Sequence, residues 1–268
     1  MSTAACAAPA PSTAPVASER PVVDPSAEAR ALHLPFDAYK RTETDIELVE
    51  RATDVLARQC LQKKGYSRPA LPAITVIEAP NRRRYGVIEP LVATRAGYHA
   101  PLTSAEKERD RAERARGGYR DAAERSAANT CLDDSMGRVY VDGADSPLLT
   151  RLEREIFEQA RTKDRHVRSA LDAWRSCMRT RGQEEYADPL IAAADDRWKN
   201  PSPAKAETAA AVADVACKKE TDLVEVWRRT EENLQSAALK QHPADFGQVR
   251  QALEKERAEA TRIVQSAK

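Results

Sequence analysis

Apolar residues recur every three to four positions through most of this chain, a spacing that predicts α-helices. The first clear helix is expected over residues 42–64, where the apolar side chains fall on one face. Thr44 and Glu47 have the spacing of a capping box at its start. Gly65 supplies a residue that tolerates the left-handed conformation at its end.

Beyond residue 145 the chain repeats one start signal, a capping residue followed by proline in the first turn of a helix. The signal occurs at Ser146-Pro147, Asp188-Pro189 and Ser202-Pro203. A further apolar stripe predicts a helix over residues 164–181. The helix from Ser202 is expected to continue to the break at His242-Pro243, and a last helix to run from there to the end of the chain.

The pattern is weaker between residues 66 and 103, which contain five prolines. We expect a long ordered loop with a short strand over Ala73–Glu78 and a short helix near Pro90–Ala96. A loop of this length is unusual in a compact domain and often carries function. Residues 104–116 are almost wholly charged and predict a solvated helix or a mobile excursion. Residues 119–135 predict another helix, with Tyr119, Ala123, Ala127 and Cys131 in one row.

These elements predict an all-α fold, a bundle of about six to eight helices with one long Pro- and Tyr-containing loop. Nine glycines and 5% aromatic residues argue against a β fold. Residues 1–31 are predicted to be a disordered tether or the remainder of a signal and lipidation region. Residues 32–145, including the loop 66–103, form the N-terminal half and residues 146–268 the C-terminal half of one compact domain.

Two segments repeat each other around a cysteine, because Cys60 and Cys177 each lie five residues before a glycine. We favour the disulfides Cys60–Cys131 and Cys177–Cys217, since each would join a helix end to a later helix of the same half. Pairing between the halves and four reduced, buried thiols remain the alternatives. Disulfides would indicate an oxidising compartment.

The fifth cysteine, Cys6, follows Ala4-Ala5 and precedes a stretch rich in Pro, Ser and Ala. This arrangement is similar to the end of a lipoprotein signal, which makes Cys6 a lipidation candidate. The expectation requires an apolar segment upstream of Met1. We therefore expect an extracytoplasmic location, membrane-anchored or secreted, or a cytoplasmic one if Met1 is the true start.

The charge balance, 43 basic against 42 acidic residues, gives no reason to expect nucleic acid as a partner. The four histidines (33, 99, 166 and 242) lack metal-ligand spacing, and no phosphate-binding, dinucleotide or hydrolase motif is present. We therefore expect no catalytic residues, no metal and no cofactor. The one compact basic cluster, Arg82-Arg83-Arg84, is interpreted as a solvated turn.

The loop 82–101 is the segment where we expect binding contacts. Arg84, Tyr85, Tyr98 and His99 place polar-tipped side chains beside Gly and Pro on a connection between helices. The alternative is that these rings merely pin the loop onto the bundle. Trp174, Trp198 and Trp227 lie at helical spacing and are predicted to be core residues.

Several stretches together resemble a family of actinobacterial exported proteins of unknown function, many of them predicted lipoproteins. The resemblance covers roughly residues 32–265. The stretches are Cys60-x4-Gly65-Tyr66, Arg84-Tyr85-Gly86-Val87, Gly97-Tyr98-His99-x-Pro101, Trp174-x2-Cys177-Met178-x3-Gly182, Tyr186-x-Asp188-Pro189, Ala213-Asp214-x2-Cys217-Lys218 and Leu223-x3-Trp227. The resemblance implies an accessory role in the envelope, near peptidoglycan-binding or efflux-type transport components, and carries over no catalytic residue.

The sequence therefore predicts an extracytoplasmic, lipid-anchored, non-catalytic binding or accessory protein of the cell envelope. The expected partner is an envelope or transporter-associated protein, and the membrane is expected to be contacted only through the lipid anchor. Two other classes stay open, an envelope hydrolase that uses carboxylates in a cleft and a cytosolic helical scaffold with reduced thiols. A hydrolase would need an Asp or Glu with a strongly raised pKa in a concave site.

Overall fold

The computed structural model describes residues 20–71, 79–183, 186–200 and 202–267. These residues form eleven α-helices and two 3-10 turns, and Val22 and Leu102 form an isolated parallel bridge. The predicted all-α class is confirmed, but six to eight helices was too low a number for the described part of the chain. The predicted strand Ala73–Glu78 and the lipidation candidate Cys6 lie outside the described residues.

The helices are numbered in chain order. They are α1 (Ala27–Arg30), α2 (Glu43–Lys63), α3 (Pro90–Ala96), α4 (Ser104–Ala115), α5 (Ala122–Val139), α6 (Pro147–Lys163), α7 (Arg165–Thr180), α8 (Pro189–Ala193), α9 (Lys205–Glu220), α10 (Leu223–Gln241) and α11 (Pro243–Ser266). The 3-10 turns are Pro35–Tyr39 and Asp196–Trp198.

The capping residues explain where the helices start. Thr42 caps α2 in a capping box with Asp45, so the box predicted for Thr44 and Glu47 was placed two residues too late. Asp164 and Asp188 cap α7 and α8 by accepting hydrogen bonds from two backbone N–H groups each. Side-chain oxygens thereby satisfy N–H groups that have no partner within the helix.

The predicted single helix from Ser202 to residue 241 is two helices in the structure. Helix α9 begins at Lys205, and the chain breaks at Asp222, whose φ of 51° is left-handed. Aspartate tolerates this conformation better than most residues with a Cβ. The apolar stripe continues on both sides of the break, so its periodicity does not reveal it.

Helix α5 begins and ends later than the predicted 119–135, because Asp121 is its N-cap. Its inward face carries Ala128, Cys131 and Val139. Of the predicted row, Cys131 is buried, whereas Tyr119 is exposed. The charged stretch forms α4, a helix with no buried residue, as expected for the solvated alternative.

Helix α2 is packed between α5 and α11, and the apolar contacts there are made by Val49, Ala52, Val139, Ala260 and Ile263. A larger core fills the C-terminal helices and surrounds Trp174 and Trp227, which are fully buried as predicted. Residues 79–102 belong to this second core, because α3 packs against α9. The two sequence halves thus share a core.

The described part of the predicted tether, residues 20–31, is folded onto the body. Val23 donates a backbone hydrogen bond to Leu102 O at 2.8 Å, and Ser26 N donates to Glu89 Oε1 at 2.6 Å. Val23 and Ala29 are buried. The predicted tether therefore extended too far, because the buried carboxylate of Glu89 binds the backbone at Ser26.

Both favoured cysteine pairs lie at disulfide distance. The sulfur atoms of Cys60 and Cys131 are 1.97 Å apart, as are those of Cys177 and Cys217. The first pair joins α2 to α5 and the second joins α7 to α9. The two Cys-x4-Gly segments also share the same local structure, because α2 and α7 are each followed by a glycine with positive φ.

Candidate binding groove

The two tyrosines predicted to make binding contacts are buried instead. Tyr85 is 1% exposed and its ring lies 5.3 Å from that of Trp227, centroid to centroid. Tyr98 is 4% exposed and stacks with Trp198 at 6.2 Å. Burial raises the pKa of both phenols far above the usual value. Both rings pack against the bundle, as in the alternative interpretation of the loop.

Arg84 and His99 are tied to carboxylates of other helices. Arg84 donates to Glu231 from Nε at 2.8 Å and to Glu153 from Nη1 at 2.7 Å. His99 Nε2 lies 3.3 Å from Glu207 Oε1. The structure therefore does not bring the four predicted contact residues together on an open surface.

The arginine cluster predicted to be a solvated turn is also internal. Arg82 is 2% exposed, forms an ion pair with Glu89 and donates to Val23 O at 3.0 Å. Arg83 donates to the carbonyl oxygens of Tyr98 and His99. Three consecutive guanidinium groups thus bind three different sets of acceptors, and together they hold residues 79–102 in place.

A second buried ion pair lies in the C-terminal core. Asp214 accepts hydrogen bonds from Trp174 Nε1 at 2.9 Å and from Lys218 Nζ at 2.8 Å, and Lys218 also donates to Val87 O. Burial raises the pKa of Asp214 and lowers that of Lys218. Every hydrogen-bonding partner here comes from the protein interior, so the pair is a structural cross-link.

The open concave site lies between α2, α4 and α5. Helices α2 and α5 run antiparallel, since Cys60 meets Cys131 while Val49 meets Val139 near the other end. They form the floor of a groove of about 520 Å³, and α4 forms one wall. The lining residues are Glu50, Thr53, Asp54, Ala57, Leu61, Arg68, Leu71, Arg109, Glu113, Arg116, Tyr119, Ala128, Leu132, Met136 and Tyr140.

The floor exposes large apolar side chains to solvent. Leu132 is 44% exposed, Met136 42%, Tyr119 38% and Tyr140 37%. These are four of the seven exposed large hydrophobic residues in the described part of the chain. Concentration of such side chains in one concavity is typical of a binding surface.

The wall formed by α4 is attached mainly by polar contacts. Arg109 pairs with Glu50, Arg116 lies 3.4 Å from Asp54, and Ser104 N donates to Asp24 Oδ1 at 2.7 Å. Ion pairs at the surface contribute roughly 0–1 kcal/mol each. The wall therefore encloses the groove without a packed apolar seam of its own.

One end of the groove has positive charge available for a ligand. Arg68 lies 4.6 Å over the Tyr119 ring and donates to Gly117 O at 3.2 Å, and it forms no ion pair with any described residue. Arg116 Nε is buried without a hydrogen-bond acceptor among the residues the structure describes. Both side chains line the groove.

A signal for this groove was present in the sequence. Ala128, Leu132, Met136 and Tyr140 follow one another at intervals of four and form a second apolar row on α5. The helix predicted over residues 119–135 rested only on the row through Cys131. A helix with two apolar rows has one for the core and one for another contact.

Comparison with known proteins gives no relative, because no protein-family model, curated protein or solved structure matches the chain. Within the described ranges, no helix is long and apolar enough to span a membrane. Those ranges also contain no group of three or more His, Cys, Asp or Glu residues placed to hold a metal ion.

Proposed function

We propose that this chain is a non-catalytic binding or accessory protein of the cell envelope, located outside the cytoplasm and attached to the membrane through a lipid on Cys6. The observation that carries the proposal is the groove between α2 and α5, where four large apolar side chains are exposed in one concavity. The accessory role follows the family resemblance of the sequence.

The cysteines support the extracytoplasmic part of the proposal. All four cysteines of the folded body lie in pairs at disulfide distance, and such bonds persist mainly in oxidising compartments. Each closes a loop of tens of residues, which would stabilise the fold by about 4 kcal/mol in the chain-entropy treatment.

The distribution of carboxylates favours binding over hydrolysis. Burial raises the pKa of Asp214 and Glu231, the kind of shift a general acid would need. Neither residue lines the groove, and each is held by a cation, Lys218 or Arg84. The carboxylates that do line it, Glu50, Asp54 and Glu113, form ion pairs with arginines.

Cell fractionation with thiol labelling tests the location. We expect the protein in the membrane fraction, with a Cys6→Ser variant released from it. An alkylating reagent should modify none of Cys60, Cys131, Cys177 and Cys217 before reduction and all four after it. Modification of all four before reduction would favour the cytosolic scaffold and contradict the proposal.

Photo-crosslinking in cells tests the binding surface. A photoreactive amino acid at Leu132, in the groove, is expected to give a discrete adduct with an envelope component. The same amino acid at Val212, which is 43% exposed on α9 outside the groove, is the matched control. Equal labelling at both positions, or none at Leu132, would remove the groove from the proposal.

A further inference from the structure

We infer that the groove binds a single-chain anionic amphiphile, a molecule with one acyl chain and a carboxylate or phosphate headgroup. This inference rests on the proposed binding function and names its ligand class. The headgroup lies at the end of the groove that contains Arg68 and Arg116, and the acyl chain lies along Leu132 and Met136.

The length of the apolar floor suits one acyl chain. The groove lining on α2 extends from Glu50 to Leu61, eleven residues apart, which corresponds to about 16 Å of helix. One leaflet of a bilayer has a hydrocarbon thickness of about 15 Å, half of the core. An acyl chain as it spans one leaflet therefore matches the floor in length.

The volume of the groove is sufficient for a small ligand. The groove holds about 520 Å³, within the usual range for a small ligand. Since α4 forms one wall, a single slim chain can lie along the floor beside it.

The charges around the groove differ between its ends. At the end near Tyr140, Arg109 is shared by Glu50 and Glu113, so its charge is compensated. At the end near Tyr119, Asp54 is shared by Arg58 and Arg116.

Arg68 adds a further cation at this second end, and Arg125 lies 6.0 Å from the Tyr119 ring centroid on α5. The excess of arginines predicts that a headgroup placed here is anionic.

Guanidinium groups also have the geometry for that headgroup. Arginine binds carboxylate and phosphate through two parallel hydrogen bonds. Arg116 pairs with Asp54, whereas Arg68 is held by the Tyr119 ring, by one carbonyl oxygen and by the charge of Glu124. An anion at this end of the groove would accept hydrogen bonds from the remaining N–H groups of Arg68.

Calorimetric titration of the full, oxidised chain tests the inference with four monomeric probes. The probes are laurate, dodecyl phosphate, dodecanol and dodecyltrimethylammonium. We expect the two anions to bind with one-to-one stoichiometry and at least tenfold more tightly than the neutral and cationic probes. Anions that bind no better than dodecanol would overturn the assigned headgroup.

Three variants localise the binding. Arg68→Gln should weaken the anionic probes about tenfold and leave dodecanol unchanged, while Met136→Glu should abolish binding of all four. Val212→Glu is the matched control, since Val212 and Met136 are similarly exposed on helices. Binding by Met136→Glu equal to that of the unaltered protein would refute the site, provided both melt at the same temperature.

The remaining outcomes separate the sources of the anion. Inorganic phosphate that binds as tightly as dodecyl phosphate, or phosphatidylglycerol vesicles that bind where monomers do not, would overturn the role of the acyl chain. A protein adduct at Leu132 without any amphiphile binding would reject this ligand class and leave the proposed function standing. Failure of both measurements would reject both.

Discussion

The carboxylate of Glu207 accepts a hydrogen bond of 2.9 Å from the backbone N–H of Tyr98, although 109 residues separate them. Glu207 is 1% exposed on α9, and Gly97 lies against its side chain. This contact fixes the end of α3 to the C-terminal core. It also explains why the chain has a glycine at position 97, where φ is 58° and ψ −125°.

Replacement of Gly97 by alanine should destabilise the protein by about 3 kcal/mol or more. A Cβ there would overlap the Glu207 carboxylate, and the backbone conformation costs roughly 1–3 kcal/mol for a residue with a side chain. Displacing Glu207 also leaves the Tyr98 N–H without its acceptor, at about 1–3 kcal/mol. Urea denaturation of both proteins measures the difference.

Gly117→Ala is the control for backbone strain alone. Gly117 has a φ of 71° but no atom within 4 Å of an added Cβ, so only about 1–2 kcal/mol should be lost. An equal loss at Gly97 and Gly117 would show that the Glu207 contact contributes nothing.

Removing one member of the Asp214–Lys218 pair should lower the free energy of unfolding much more than removing both members. Asp214→Leu or Lys218→Met alone leaves a buried charge uncompensated, at about 3–5 kcal/mol, whereas the double variant should recover much of the loss. A double-mutant cycle from denaturation curves gives the coupling. Glu155→Gln in the exposed Arg151–Glu155 pair is the reference and should cost less than 1 kcal/mol. If the losses of the two single variants simply add in the double variant, Asp214 and Lys218 do not stabilise each other.

The Asp45–Arg257 pair should make stability depend on pH in the acid range. A hydrogen bond from Arg257 lowers the pKa of Asp45 from 3.8 to about 2. Because the folded-state pKa is depressed, the stabilisation is complete above pH 3.8 and is lost as the pH falls through 2.

We expect Arg257→Gln to be less stable than the unaltered protein at neutral pH by about 1 kcal/mol, since Arg257 is half exposed. The difference should shrink as the pH falls through 2 and disappear below it, where Asp45 is protonated in both proteins. Denaturation curves at several pH values measure it. A difference that stays constant down to that pH would mean that the pairing is not electrostatic.

Substitution of Asp222 by glycine should stabilise the protein by about 1 kcal/mol. Asp222 has a φ of 51° and its side chain makes no capping hydrogen bond, so glycine removes conformational strain without losing a contact. Thermal melting measures the gain. Thr221→Gly is the control, since Thr221 has a φ of −98° and should gain nothing. A lower melting temperature for Asp222→Gly would contradict the explanation.

Tyr85→Ala should lower the free energy of unfolding by about 3–5 kcal/mol, because the ring is buried against Trp227. Chemical denaturation measures the loss. A ring available to a partner, as predicted from the sequence, would leave the melting temperature almost unchanged on removal. Replacing exposed Tyr119 by alanine is the matched control and should cost well under 1 kcal/mol.

Most local signals predicted a helix end correctly, but Ser202-Pro203 did not, since α9 begins at Lys205 with Ala204 as its N-cap. Ser146-Pro147, Asp188-Pro189 and Gly182 each mark an observed helix end, because caps act within one turn. The break at Asp222 was not predictable, since neither glycine nor proline marks it. The cysteine pairs followed from the order of helices along the chain.

The inward positions of Arg82, Arg84 and Tyr85 could not be predicted from the sequence. Their partners, Glu89, Glu231 and Trp227, are brought to them only by the fold. A run of arginines on a proline-rich connection usually lies in solvent. The groove was partly predictable, since the second apolar row on α5 is visible in the sequence. Its wall was not, because α4 has no apolar face.

The Cys60–Cys131 bond spans 71 residues, and residues 79–102 lie inside the covalent ring that it closes. Their main partners, α9 and Glu231, lie outside that ring. A closed ring samples fewer conformations than an open chain of the same length. Once this bond has closed at the α2–α5 end of the molecule, residues 79–102 therefore have fewer conformations to search before they reach the C-terminal core.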